Sequence, residues 1–107
     1  MTLIEVLYFE GCPGALPTID TVESVVRDAK LQGVEIRKVL IEDARAAGRL
    51  RFLGSPSVRV DGRDVEPEAD KRGDFGLQCR VYTVAGSLRN TPERAWIERA
   101  LGVTGAS

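Results

Sequence analysis

The chain has 107 residues, 43% apolar, 29% charged and 6% aromatic, the proportions of one ordinary globular domain. Its 15 Lys and Arg against 16 Asp and Glu leave no basic surplus, so neither nucleic acid nor an acidic membrane surface is indicated as a partner. The absence of histidine excludes Ser-His and Cys-His couples, and two cysteines exclude an all-cysteine zinc site within one chain and a multiply stapled secreted domain; thiol chemistry, carboxylate chemistry or binding without chemistry remain.

The opening run Leu3 to Phe9 is apolar but lacks a basic start and contains Glu5, so it predicts a buried central strand rather than a signal peptide. With no run long enough to suggest a membrane helix, a cytoplasmic chain with reduced thiols is expected. After Gly11-Cys12-Pro13-Gly14, the spacing of Ile19, Val22, Val25, Val26 and Ala29 predicts an amphipathic helix ending near Gly33. Pro13 and Pro17 compete for its first turn, which is expected to be distorted.

Val34 to Ile41 alternates like a strand nearer an edge, and Glu42 to Leu53 suits a second helix stopped by Gly54. Ser55-Pro56 leads into a strand, Ser57 to Val60, and Asp61-Gly62 is a hairpin-type turn. Residues 61 to 76 read as a long, solvated acidic loop without the ligand spacing of a calcium site. Leu77 to Val84 resumes strand character. Asn90-Thr91-Pro92-Glu93 opens a last helix whose buried stripe is Trp96, Ile97, Ala100 and Leu101, and residues 102–107 form an expected flexible tail. The predicted order is βαβ, α, ββα over residues 1–101: an α/β domain with a four-stranded mixed sheet and helices on both faces.

This order, with Gly11-Cys12-Pro13-Gly14 opening the first helix and Gly54-Ser55-Pro56-Ser57 opening the third strand, resembles the thioredoxin superfamily. The stretch Gly76-Leu77-Gln78-Cys79-Arg80-Val81-Tyr82 and the Thr91-Pro92 helix further resemble small bacterial thioredoxin-like proteins, some labelled alkylmercury lyase. The resemblance implies a nucleophilic Cys12 faced by a cis-proline at Pro56, with the backbone of Ser55 exposed as an edge for an extended partner segment. The chain departs from the superfamily's CxxC motif, because Ala15 stands where a second cysteine would resolve an adduct on Cys12.

A thiol at a helix N-terminus lies near unpaired N–H groups and the positive end of the helix dipole, which favour thiolate, while Glu10 opposes it. Cys79 is expected to be structural and half-buried. A fourth strand parallel to the first would start it about 16 Å from the Cys12 end, at about 3.3 Å per residue, too far for a direct bridge. The leading expectation is a thiol protein that forms mixed disulfides through Cys12 with a protein or small-molecule thiol or disulfide, needing no metal and no cofactor. A non-catalytic binding module of the same fold is the alternative. A third reading is soft-metal or organomercury handling by Cys12 and Cys79, with Glu10 as proton source.

Overall fold

Strand β1 (Thr2–Tyr8) carries apolar side chains on both faces, and it is the strand that becomes central. Strand β2 (Val34–Leu40) runs parallel to it from Thr2 opposite Val34 to Tyr8 opposite Leu40, and β3 (Ser57–Val60) runs antiparallel on the other side, with Leu7 opposite Ser57. The chain in this computed structural model, described over residues 1–103, next turns through Asp61 and Gly62. Their φ values of 50° and 84° match a twisted two-residue hairpin and lead into β4 (Arg63–Asp64). The sheet order is β2-β1-β3-β4, an α/β fold with one four-stranded mixed sheet.

Helix α1 (Ala15–Asp28) buries Ile19, Val22 and Val25 against Ile4, Val6, Val58 and Val60, together with Trp96 and Ile97 of α3 (Arg94–Ala100). Leu7 points the other way and packs with Ile41, Ala47 and Phe52 around α2 (Ala44–Arg49). Thus α1 and α3 cover one face of the sheet and α2 covers the other.

Helix boundaries differ from the sequence expectation for identifiable reasons. Pro17 has no N–H, which is harmless only in a first turn, so the helix begins at Ala15 and its first bond runs from Thr18 N to Gly14 O. The expected distortion is confined to the turn before it. At the other end, Lys30 takes a left-handed φ of 53°, with Lys30 N bonded to Arg27 O and Leu31 N to Val26 O. Arg51, at φ 56°, closes α2 in the same way through Gly48 O and Ala47 O. These are glycine-type helix ends made by non-glycine residues, so both helices stop before the glycines expected to end them. Helix α2 is also shorter than expected because Asp43 caps it, accepting from Ala46 N at 2.8 Å.

The fourth strand of the sheet is β4, inside the expected loop, and not Leu77 to Val84. Only β5 (Tyr82–Val84) forms a strand there, and it pairs with β6 (Ser87–Arg89) in a separate hairpin. The expected solvated loop also contains a 3-10 turn at Ala69–Lys71. In the last helix, Glu93 is the N-cap without a side-chain bond, so the Asn90 to Pro92 stretch lies before the helix. Trp96 and Ile97 are buried while Ala100 is exposed. Gly102 and Val103 bond back to Arg99 O and Glu98 O and finish α3, so the expected tail is ordered at its start; residues 104–107 lie outside the described residues. No helix among the described residues is long and apolar enough to cross a membrane.

Candidate thiol site

Cys12 sits on the turn joining β1 to α1, half-buried and free. Its N–H donates to Phe9 O at 3.3 Å, and its carbonyl accepts from Ala15 N at 3.2 Å. Because Pro17 delays the helix start, Cys12 lies two residues before the Gly14 cap, not on the first helical turn as expected. Gly14 makes the next contact possible: a Cβ there would lie 3.1 Å from Pro56 Cδ and would collide with Asn90 O. Gly14, two residues past Cys12, therefore packs closely against Pro56.

The Ser55-Pro56 peptide bond is cis. Pro56 O accepts from the Tyr82 hydroxyl at 2.6 Å, and Ser55 Oγ accepts from Phe9 N at 3.3 Å, tying the start of β3 to the end of β1. Ser55 does not offer a free edge. Its N–H donates to Gln78 O at 2.8 Å and its carbonyl accepts from Arg80 N at 2.9 Å, so the chain's own residues 78–80 fill the place expected for a partner segment. The residue directly opposite Ser55, in parallel pairing, is Cys79.

Sequence reasoning therefore misplaced Cys79, which is exposed rather than half-buried and lies at the Cys12 end of the sheet. The strand assumed over Leu77 to Val84 is replaced by a strap stitched to residues 52–55. Gly76 N donates to Phe52 O, and the Gln78 side-chain amide donates to Leu53 O and Asp74 O. Gly54 permits this approach. Its φ is 126°, and a Cβ on it would come within 3.0 Å of both Gln78 O and Arg80 Cβ.

Arg80 anchors the strap from the α2 face. It is 2% exposed, and its guanidinium donates to Ser57 Oγ at 2.8 Å, to both Asp64 oxygens at 2.7 and 3.0 Å, and to Glu66 Oε1 at 2.7 Å. It also lies 4.6 Å from the Tyr82 ring centre. Burial works against the charge, but the bonds to Asp64 and Glu66 outweigh it and hold the guanidinium protonated well above its ordinary range. Burial likewise pushes the Tyr82 phenol far up, although the Arg80 charge pulls the other way. Nearer the surface, the hydrogen bond from Arg72 holds Asp74 below the usual carboxylate range. The solvated-loop expectation thus fails at Asp64 and Glu66. The available signal was Arg80 itself, a lone cation inside an apolar stretch, two residues from Tyr82.

Glu10 is exposed and, with Phe9, Leu40, Ile41, Glu42 and Leu77, lines an open groove of about 550 Å³ beside the cysteine turn. Among the described residues no group of three or more Cys, Asp or Glu gathers that could hold a metal ion. What the arrangement does offer is two free thiols at one end of the sheet. Comparison of the chain with protein-family models, with curated proteins and with solved structures finds no match.

Proposed function

We propose that this is a thioredoxin-like thiol protein in which Cys12 takes up partners as mixed disulfides. The observation that carries the reading is the close approach of Gly14, two residues past Cys12, to Pro56, with Cys12 itself free and half-buried. The strand order, with β1 and β2 parallel and the β3-β4 hairpin antiparallel, agrees with it. In the exchange step the Cys12 thiolate attacks one sulfur of a partner disulfide, forms a new S–S bond to it, and releases the other sulfur as a thiolate that takes up a proton from water. The partner is a protein or small-molecule disulfide. The test is the pH-resolved alkylation rate of Cys12 in a Cys79→Ser background, compared with the thiol of glutathione. Alkylation faster than the small thiol supports the site, and a Cys12 slower at every pH removes it.

A binding module without chemistry is the second reading, favoured by the groove beside the turn, where Leu40 and Leu77 are each more than two-fifths exposed. Addition of a partner strand at Ser55 is not part of it, because both backbone groups of Ser55 are already bonded.

A further inference from the structure

Ser55 lies beyond the carboxyl end of β1, since Ser57 pairs with Leu7 and the Ser55 hydroxyl bonds Phe9 N. Cys12 lies three residues past Phe9 and is hydrogen-bonded to it. Paired residues of neighbouring strands sit about 4.8 Å apart, which brings Cys79 alongside Ser55. The next residue, Arg80, is drawn inward to Ser57 and Asp64, while Cys79 stays exposed beside Ser55. Both thiols are free, and Cys79 is exposed.

We propose that Cys79 is the resolving thiol for Cys12, doing from the strap what a cysteine at position 15 would do from the helix. This rests on the mixed-disulfide reading of Cys12. Once Cys12 carries a partner, the Cys79 thiolate attacks the Cys12 sulfur. The Cys12–Cys79 bond forms, the bond to the partner breaks, and the partner leaves as a thiolate that takes a proton from water. Over both steps two protein thiols are oxidised to one disulfide and one partner disulfide is reduced to two thiols. An external dithiol then returns the protein to its reduced state. The strap suits this role because side-chain and backbone bonds to residues 52–55 hold it in place without burying the thiol.

The experiment follows reduced wild-type protein and the Cys79→Ser variant after addition of oxidised glutathione, by mass spectrometry and non-reducing peptide mapping at two protein concentrations. Wild type is expected to show a transient glutathione adduct on Cys12 that converts to an intrachain Cys12–Cys79 disulfide at a rate independent of protein concentration. The Cys79→Ser variant is expected to keep its adduct at least ten times longer. An adduct on Cys12 with equal lifetime in both proteins would overturn the resolving role alone. So would a crosslink that forms only between chains. Failure of Cys12 to form any adduct in either protein would overturn the mixed-disulfide reading, and the resolving role with it. Because Cys79 is exposed, its serine variant is expected to fold, and the wild-type time course is decisive even if it does not.

Discussion

Arg80 and Asp64 face each other as a two-bond pair, guanidinium to carboxylate at 2.7 and 3.0 Å, with the arginine side chain wholly shielded from solvent. Such a pair is costly to break from one side, because the remaining charge keeps its burial and loses its partner. Arg80→Met is therefore expected to lower stability by about 3 kcal/mol, read from the midpoint of urea unfolding. Combining it with Asp64→Asn and Glu66→Gln should recover part of that loss. A midpoint that does not move on Arg80→Met would mean that the strap is held by its backbone bonds alone.

Gly54 is the hinge of the same arrangement. Gly54→Ala forces a side chain into a φ region that L residues avoid and against Gln78 O, at an expected cost of about 2 kcal/mol. The loss should be local as well as global. Hydrogen exchange at the Ser55 and Arg80 amides is expected to accelerate more than at Ile4 and Val6 in the central strand, and uniform acceleration would contradict the close approach seen here.

Tyr82 makes stability sensitive to alkali. Its folded-state phenol lies above the unfolded value of about 10, so the unfolded chain loses that proton first. The contribution is then complete below about pH 10 and declines as pH rises beyond it. With Tyr8→Phe as background, the tyrosinate absorbance of Tyr82 should appear together with loss of the near-ultraviolet circular dichroism of Trp96, whose ring centre is 5.8 Å away. Tyrosinate formation in a still-folded chain would be the contrary result. Tyr82→Phe should remove the alkaline sensitivity while sacrificing about 1 kcal/mol from the bond to Pro56 O.

Ala15 is the first residue of α1, buried, and bonded through its N–H to Cys12 O. The bond from Ala15 N to Cys12 O closes a four-residue turn that brings the two positions close, so Ala15→Cys introduced into the Cys79→Ser background is expected to release the glutathione adduct that the single variant retains. Because position 15 is buried, the new thiol should act on adducts at Cys12 without capturing glutathione itself. Mass spectrometry of the double variant checks both halves, and an adduct as long-lived as in Cys79→Ser would argue against this geometry.

Features that depend on local pattern were legible in the chain. The unbroken apolar run of β1, the helical spacing of Ile19, Val22 and Val25, and the Asp61-Gly62 turn each reflect interactions within a few residues, and each element stands where that pattern puts it. That pattern leaves the start of α1 open between Pro13 and Pro17, and the structure places it at Ala15, with Pro17 in the first turn. The rest depends on long-range contact and not on propensity. Lys30 and Arg51 accept left-handed backbone because the helix ends they close are packed on the sheet, a compensation that no local preference reveals. Leu77 to Val84 is as strand-like as any segment, but Gly54 and Ser55 capture its backbone and Arg80 requires Asp64 and Glu66, partners 16 and 14 residues away. The position of Cys79 followed from that capture. A thiol placed by long-range pairing could not be located by counting along its own strand, because the strand it was counted along does not form.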